Sequence, residues 1–369
     1  MQGRFLFCFG KVYIVSKKGN GVFDFFKDTA AFFYLEEWLM KEVKGFQYHK
    51  TPKRFVAEYA DGAWDKGRLT RSAHISLNES ACVLQYAQTC FEGLKAYRTE
   101  KGKIVCFRPD LNDARLKDSC LRMVMPPLPD GMFCDAVKKV VAANKKFVPP
   151  YESGGALYLR PFVFGKNAVL GVKPATTFEF RMFASPVGSY FSGGVRPLTL
   201  RITDFDRAAP HGTGHVKAGL NYAMSLYAIT DAHKQGFDEN VYLDSATRTY
   251  IEETGGANLL FVTKDHKLVT PKSPTILPSI TRRSLLTVAA QYLGMETEER
   301  PVRAEELADF AECGLCGTAA VISPVGKIVG SDKTYTFGET ATLMKLRETL
   351  LDIQHEKIEA PKGWIFEID

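Results

Sequence analysis

The chain has 369 residues, of which 45% are hydrophobic and 24% are charged, and its formal net charge is +6. This length predicts two domains, each large enough to bury its own core. The charge is modest and is not gathered into basic blocks, and no apolar run approaches the roughly 18 residues of a membrane span, so nucleic acid and membrane are excluded as expected partners.

The eight cysteines are scattered along the chain without the spacing of a disulfide framework. Such scattering favours a reducing compartment, and we expect a cytoplasmic location. Cys313 and Cys316 form one C-x-x-C pair without a second pair or a histidine partner downstream. Buried thiols are therefore favoured over a redox or metal role, and no metal site is predicted.

Residues 1–39 differ from the rest of the chain because they are crowded with Phe and Tyr. Their apolar stretch is too short for a secretory signal, and their acidic residues argue against a transit peptide. We expect the natural start at Met40, with the preceding residues as a reading-frame extension. The alternative is an additional N-terminal helix packed on the surface.

The first half of the chain, residues 40–188, predicts a small N-terminal domain of strands and helices. Asp110 is a suitable N-cap for a helix that runs to about Met123. The paired glycines within residues 189–196 predict an interdomain linker. Apolar or alternating runs predict strands at three places: residues 103–107, 156–165 and 178–185.

The remaining residues, 197–369, predict a larger C-terminal domain. A helix is expected over residues 218–235, and another begins at Ile280 behind the N-cap Ser279. Strands interleaved with helices in both halves predict a mixed α/β (α+β) architecture. The strands of this half are predicted at four places: residues 240–243, 248–253, 258–263 and 318–325.

Lys217 lies among small residues directly before the first of these two helices, and the ten positions after Asp206 contain no acidic residue. Burial favours the neutral amine of a lysine, which can form a Schiff base with a carbonyl group. This feature alone is weak evidence, because most lysines are solvated surface charges.

Two stretches could bind a phosphate group. The amides of Ile280 and Thr281 open a predicted helix, where unpaired N–H groups attract anions. The small residues at 317–320 could present further backbone N–H groups, and Arg115 could add a two-pronged contact. Ordinary helix capping and a surface arginine are the alternatives.

Glu252 and Glu253 lie side by side on a predicted strand, one on each face. An inward glutamate could keep a pyridine nitrogen protonated and so make its ring an electron sink. The alternative is a pair of exposed strand residues. The strand pattern leaves open which of the two points inward.

A series of short motifs runs in order through both halves of the chain. They are LQYAQTCFEGLKAYR (84–98), FRP (107–109), ARL (114–116), LYLRP (157–161), PVGSYF (186–191), KAGLNY (217–222), ETGGAN (253–258), LPSITR (277–282) and GTAAVISPV (317–325). Together they resemble the branched-chain amino-acid aminotransferases, which are fold-type IV enzymes that use pyridoxal 5'-phosphate. The resemblance begins at about residue 55 and implies the two-domain fold of that family.

The resemblance implies that Lys217 carries pyridoxal 5'-phosphate and moves the substrate proton. It also implies that Glu253, rather than Glu252, contacts the pyridine nitrogen and that Tyr222 binds the phenolic oxygen. The positions that match phosphate-binding residues of the family are Arg115, Gly256, Ile280, Thr281 and Thr318.

A substrate pocket for leucine, isoleucine or valine, and then for glutamate, is also implied. Phe91, Tyr86 and Tyr190 would supply apolar ring surface. Arg160 and the tyrosine hydroxyls would bind the side-chain carboxylate of glutamate.

The α-carboxylate of each substrate would be held by Tyr158 and the backbone amides of Thr318 and Ala319. Tyr86 lies on a segment that in this family is contributed by the neighbouring subunit. The resemblance therefore implies a homodimer or a higher homo-oligomer.

The activity implied is the reversible, ping-pong transfer of an amino group from L-leucine, L-isoleucine or L-valine to 2-oxoglutarate, which yields the 2-oxo acids and glutamate.

A D-amino-acid aminotransferase or an aminodeoxychorismate lyase is an alternative of the same fold type, but both tend to be shorter and lack the FEGLKAYR segment at 91–98. A non-catalytic binding protein of this fold is a third alternative. Its expected sign is loss of the lysine, the arginine or the glutamate, and all three are present.

Overall fold

The computed structural model describes residues 45–188, 195–338 and 340–368, and the backbone of three strands near the N-terminus. These strands are β1 (Gly3–Cys8), β2 (Lys11–Ser16) and β3 (Val22–Asp24), which pair antiparallel. In these three ranges the chain is extended, so the helix considered as an alternative for residues 1–39 is not found there.

The first large sheet is built mostly from the N-terminal half of the chain. Its strands are β4 (Arg54–Ala60), β5 (Ala63–Trp64), β6 (Arg68–Thr70), β7 (Thr89–Phe91), β8 (Leu94–Arg98), β9 (Ile104–Phe107), β10 (Ala156–Gly165), β11 (Phe178–Val187) and β21 (Ile365–Ile368). They follow the order β21-β9-β8-β10-β11-β4-β5, with β6 paired to β4 and β7 to β10. The C-terminal strand thus belongs to the sheet of the N-terminal half. The linker predicted at residues 189–196 stays a prediction.

Within residues 45–188 the helices are α1 (Cys82–Tyr86), α2 (Pro109–Arg122) and α3 (Met132–Ala143), followed by the 3-10 turns Lys145–Phe147 and Tyr151–Ser153. Helix α2 begins one residue before Asp110, with Arg108 as its N-cap, so the prediction that Asp110 caps this helix is wrong. Pro109 suits the first helical position because its ring fixes φ and its missing N–H would have no partner there. Asp110 lies in the first turn, where the helix dipole favours a carboxylate.

The second large sheet is built from the C-terminal half. Its strands are β12 (Leu198–Ile202), β13 (Glu239–Leu243), β14 (Ile251–Thr254), β15 (Asn258–Thr263), β16 (Leu268–Pro271), β17 (Thr297–Arg300), β18 (Phe310–Gly317), β19 (Val321–Val329) and β20 (Thr334–Thr336). They follow the order β14-β13-β12-β19-β18-β15-β16-β17, with β20 on β19. Because β14 also pairs with β15, through Glu253 and Asn258, the strands from β14 to β15 close into a ring.

The helices of this half are α4 (Gly219–Lys234), α5 (Ile280–Leu293) and α6 (Ala341–Gln354), with a 3-10 turn at Ala304–Ala308. Helix α4 matches its prediction within a residue at each end. The predicted cap of α5 is confirmed, because Ser279 Oγ accepts the N–H of Arg282 at 3.2 Å. Within the described parts of the chain, no helix has both the length and the apolar character of a membrane span.

Two strand predictions in this half need correction. The strand predicted at 248–253 begins only at Ile251, because the carboxylate of Asp244 accepts three backbone N–H groups of the loop before it. The strand predicted at 318–325 begins only at Val321, and residues 318–320 form a turn. Strand β18 was not predicted, since its sequence FAECGLCG contains two glycines and an acid, which are depleted in strands.

Apolar side chains of the described residues form three buried cores. One lies between the first sheet and α2 and α3, and another lies within the ring of the second sheet. The remaining core combines Tyr97 and Val105 of the first sheet with Leu260 and Ile322 of the second, and includes residues of α5 and α6. This shared core fixes the two sheets against each other and therefore fixes any site at their junction.

Candidate active site

A cavity of about 190 Å³ lies at the junction of the two large sheets. Most of the predicted site residues line it, and its wall includes Phe91, Arg115, Tyr158, Arg160, Lys217, Tyr222, Glu253, Gly256, Ile280, Thr318 and Ala319. The fold therefore brings together in one place predicted residues as far apart in the chain as Phe91 and Ala319.

Lys217 directs its amine to a hydroxyl and to aromatic rings. Its Nζ donates a hydrogen bond to Tyr222 Oη at 2.8 Å and lies 4.8 Å from the ring centre of Phe91. Its backbone is tied to the first sheet, because its carbonyl accepts the N–H of Phe91 at 3.0 Å and its own N–H donates to Ser119 Oγ at 3.1 Å. Among the described residues no carboxylate lies within 4 Å of Nζ, which leaves the amine available for covalent chemistry.

Glu253 is buried in the cavity wall and has three partners. Its Oε1 accepts the N–H of Leu277 at 2.8 Å and contacts Arg207 Nη2 at 2.5 Å, and its Oε2 accepts from Asn258 Nδ2 at 2.7 Å. Burial raises the pKa of Glu253 to about 7, against the opposing effect of the Arg207 cation. A cationic group that entered the cavity beside this carboxylate would lower the pKa again.

Glu252 points to the opposite face of β14 and is also buried. Its carboxylate accepts from Ser273 Oγ at 2.9 Å and from Thr275 Oγ1. The alternative of two exposed glutamates is therefore wrong for both residues. The physical reason is that the ring of strands buries both faces of β14, whereas only Glu253 lines the cavity.

The first turn of α5 presents free amides at the cavity. The N–H of Arg282 donates to Ser279 Oγ and that of Arg283 donates to the Ser279 carbonyl. The amides of Ile280 and Thr281 find no acceptor among the described residues. Amides in this position, at the positive end of a helix dipole, form an anion site. Ile280 lines the cavity, while the side chain of Thr281 is buried beside it.

The turn at residues 318–320, between β18 and β19, presents a second group of free amides. Neither Thr318 nor Ala319 donates its N–H to an acceptor in the described parts of the chain. Both residues line the cavity, so their amides are available to a negatively charged group there.

Aromatic rings and one arginine form the opposite wall. The rings of Phe91 and Tyr222 lie 4.9 Å apart between centres. The guanidinium of Arg160 lies 4.8 Å from the centre of the Phe91 ring, and its Nη2 donates to Tyr158 Oη at 3.0 Å. Since Arg160 forms no ion pair among the described residues, it is a positive charge beside an apolar surface.

The chain matches the family described as Amino-transferase class IV over residues 89–328. It is 49% identical over 327 residues to the branched-chain-amino-acid aminotransferase of Helicobacter pylori, which covers 88% of this chain and 96% of that protein. It is 47% identical to the corresponding protein of Haemophilus influenzae, with coverage of 88% and 97%. The chain belongs to the branched-chain amino-acid aminotransferase family.

A solved structure supports the same assignment. The crystal structure of the Escherichia coli branched-chain amino acid aminotransferase is similar to this chain with a TM-score of 0.72, at 26% identity, over 87% of this chain and 100% of that one. The predicted mixed α/β architecture of a fold-type IV aminotransferase is confirmed.

In this aminotransferase the guanidinium of Arg115 is already engaged. Its Nε and Nη2 bind the two carboxylate oxygens of Glu92 at 2.7 and 2.8 Å, and its Nη1 donates to the Pro278 carbonyl at 3.1 Å. Asn112 also donates to Glu92, at 2.6 Å. The two-pronged contact expected between Arg115 and a phosphate is thus made with Glu92, because both side chains are buried and each needs a counter-charge. A phosphate contact of Arg115 stays a prediction and would involve Nη1.

Among the predicted site residues that the structure describes, Thr281 and Tyr86 do not line the cavity. Tyr86 ends α1, and its hydroxyl donates to the carbonyl of Leu170, away from the cavity of its own chain. Tyr190 lies outside the described residues, so its predicted role is not examined by the structure.

The sequence patterns did not indicate the roles of three residues of the site. Arg207 forms an ion pair with Glu253, which lies 46 positions further along the chain, and no local sequence motif predicts such a pair. Phe46 packs edge-on against Tyr158, with ring centres 4.8 Å apart. A Cβ at Gly93 would lie 2.1 Å from Tyr158 Oη, so this glycine of the FEGLKAYR segment is required for the tyrosine position.

Of the C-x-x-C pair, Cys316 lines the cavity and Cys313 does not. Cys313 and Cys316 are both buried on β18, and their side chains belong to two different cores. Burial raises the pKa of both thiols, which disfavours the reactive thiolate.

The Glu92–Arg115 pair gives a stability prediction. Glu92→Leu and Arg115→Met should each lower the free energy of unfolding of the apoprotein by about 3–5 kcal/mol, because each leaves a buried charge without its partner. The double variant should lose much less than the sum, as measured by urea denaturation. Glu348→Leu, on an exposed ion pair with Lys345, is the control and should leave the urea midpoint unchanged. Additive losses in the double variant would contradict the pairing.

Proposed function

We propose that this aminotransferase transfers the amino group of L-leucine, L-isoleucine or L-valine to 2-oxoglutarate, reversibly, with pyridoxal 5'-phosphate at Lys217. One observation carries the proposal: a single cavity holds a lysine amine, a buried carboxylate and two groups of backbone amides, and neither the amine has an acid partner nor the amides an acceptor among the described residues. The relatives from Helicobacter pylori and Haemophilus influenzae are named for branched-chain amino acids, which supports the substrate class.

The residues of the cavity fit pyridoxal 5'-phosphate. The free amides of Ile280, Thr281 and Thr318 suit a phosphate group. The buried carboxylate of Glu253 suits a protonated pyridine nitrogen, since an adjacent cation would offset the cost of its burial. When bound, the cofactor supplies a carbonyl carbon that takes up and releases the amino group and a ring that withdraws electrons from the substrate.

Lys217 and Tyr222 would handle the proton. The Lys217 amine would remove a proton from the substrate Cα and deliver it to the carbonyl carbon that the cofactor supplies. Tyr222 holds this amine at 2.8 Å, and the ring of Phe91 covers it. These contacts orient the amine. The amino donor and 2-oxoglutarate would occupy the same pocket one after the other, which corresponds to a ping-pong order.

The aromatic wall offers a physical account of dual substrate binding. The rings of Phe91 and Tyr158 provide apolar surface for a branched side chain. Arg160 lies against both rings and has no carboxylate partner among the described residues, so it suits the side-chain carboxylate of glutamate. One pocket would therefore accept either side chain without rearrangement of the backbone.

We also infer a homodimer in which Tyr86 completes the cavity of the partner subunit. Tyr86 lies outside the cavity of its own chain. Apolar side chains near it are exposed: Leu84 by 58%, Leu170 by 91% and Val172 by 88%. Such a concentration of exposed apolar side chains is typical of an interface.

An amino-donor panel tests the proposed activity. Wild-type protein with 2-oxoglutarate should use L-leucine, L-isoleucine and L-valine but not D-alanine, and Lys217→Ala should lower turnover by about 10²–10⁴-fold or more because the proton carrier is lost. Lys234→Ala, at the far end of α4, should behave as wild type. Undiminished turnover by Lys217→Ala, use of D-alanine alone, or release of pyruvate from aminodeoxychorismate would contradict the proposal.

Mixed dimers test the role of Tyr86. Tyr86→Ala and Lys217→Ala should each have little activity alone. After the two variants exchange subunits, roughly a quarter of the sites should become active, since half of the dimers are mixed and one site in each is intact. The measurement is L-leucine turnover of the mixture, with each variant mixed with itself as the control. A mixture no more active than the average of its components would show that Tyr86 serves its own chain.

A further inference from the structure

A half-buried lysine holds the turn at residues 318–320 from behind. Lys95 lies on β8, and its Nζ donates a hydrogen bond to the carbonyl of Ala319 at 2.7 Å. Strand β8 belongs to the first sheet and the turn belongs to the second. This single hydrogen bond therefore ties one wall of the cavity to the other.

A second cation holds the next carbonyl of the same turn. Arg347 on α6 donates from Nε to the carbonyl of Ala320 at 3.3 Å. A peptide unit is planar and trans, so its C=O and its N–H point in opposite directions. The held carbonyls belong to the peptide units 319–320 and 320–321, so the cations fix the planes of these two units directly. Through the backbone of Ala319 they also restrict the rest of the turn, which carries the amides of Thr318 and Ala319.

The backbone of the turn is strained at the residue that follows it. Val321 has a φ of 66°, in the left-handed region that β-branched residues rarely adopt. Such a conformation persists only where the surrounding structure determines it more strongly than the local preference. The carbonyl held by Arg347 belongs to the peptide bond between Ala320 and Val321, and the carbonyl held by Lys95 belongs to the peptide bond before it.

We propose that Lys95 is a positioning residue for the substrate carboxylate: its ammonium fixes the turn so that the amides of Thr318 and Ala319 stay directed to the cavity. Lys95 also lies directly opposite Tyr158 in the pairing of β8 with β10, so both side chains leave the same face of the sheet. Lys95 thereby fixes the position of the turn relative to the hydroxyl of Tyr158. The inference rests on the proposed function and identifies how that site recognises a carboxylate.

The charge of Lys95 depends on its surroundings. The groups that face it are Arg347 and His355 on and after α6, Tyr158 on β10 and Tyr97 on its own strand. None is negatively charged near neutral pH, and no described carboxylate lies within 4 Å of its amine. Burial, with a smaller effect of Arg347, lowers the pKa of Lys95 to about 8. Below that pH the ammonium holds the carbonyl with a charge-assisted hydrogen bond, and above it the bond weakens.

The test measures carboxylate binding rather than turnover alone. The probe is 4-methylvaleric acid, which has the leucine skeleton and a carboxylate but no amine, titrated into holoenzyme at pH 7 and pH 9.5. For wild type, Kd should rise about tenfold between the two pH values, since about 1.4 kcal/mol of binding is lost with the charge. Lys95→Met should show the weaker Kd at both pH values. Lys95→Arg should keep the tighter Kd at both, because a guanidinium stays charged.

The kinetic consequence separates positioning from general damage. In Lys95→Met at pH 7, KM for L-leucine should rise about tenfold while kcat changes by less than about threefold. Lys139→Met, an exposed lysine on α3 paired with Asp135, is the matched control and should leave both constants unchanged. If Lys95→Met does not fold, the absence of a pH-dependent Kd in Lys95→Arg still decides the question.

The outcomes distinguish this inference from the proposed function. Failure of wild type to turn over L-leucine would contradict the proposed function itself. If wild type turns over L-leucine, then an unchanged Kd and KM in Lys95→Met, or the same pH-dependent rise of Kd in Lys95→Arg as in wild type, would overturn the positioning role.

Discussion

The burial of the Glu253 carboxylate is the constraint on which the rest of the site depends. A buried carboxylate is costly unless partners compensate it, and this one has Arg207, Asn258 and the N–H of Leu277. Those partners come from three separate segments, so satisfying one charge fixes the position of all three. The Leu277 contact matters most, because Leu277 immediately precedes the loop that opens α5. The acid that suits a pyridine nitrogen thereby also places the free amides that suit a phosphate.

The site exists only because the two sheets are held together. Lys217 belongs to the C-terminal half, yet its backbone is bound to β7 and α2 of the N-terminal half. In the opposite direction, Arg115 of the N-terminal half donates to the carbonyl of Pro278, and Lys95 donates to the carbonyl of Ala319. These polar contacts surround the cavity, while the core shared by both sheets supplies the apolar contact behind them. A cavity built from contacts across a junction has its geometry set by the whole fold rather than by one loop.

How well a feature could be predicted from the sequence depends on how far apart in the chain the interacting residues lie. The Ser279 cap and the helix after Lys217 depend on neighbours within a few residues, and both were predicted closely. The pairs Arg207–Glu253 and Arg115–Glu92 depend on tertiary contacts, so the sequence showed the residue types but not the partners. The burial of Glu252 could not be predicted from the sequence either, because only the closed ring of strands buries both faces of β14. Phe46 and Lys95 act at the cavity through the packing of one sheet against the other, for which a local pattern contains no signal.

The central claim is that Lys217, and no other lysine, carries the cofactor. The most direct measurement is reduction of the holoenzyme with borohydride, followed by proteolysis and mass spectrometry of the peptides. The account predicts one phosphopyridoxyl adduct, on the peptide that contains Lys217, and loss of that adduct when L-leucine is added before the reductant. An adduct on Lys95 or on any lysine other than Lys217, or no adduct in a protein that turns over L-leucine, would contradict it.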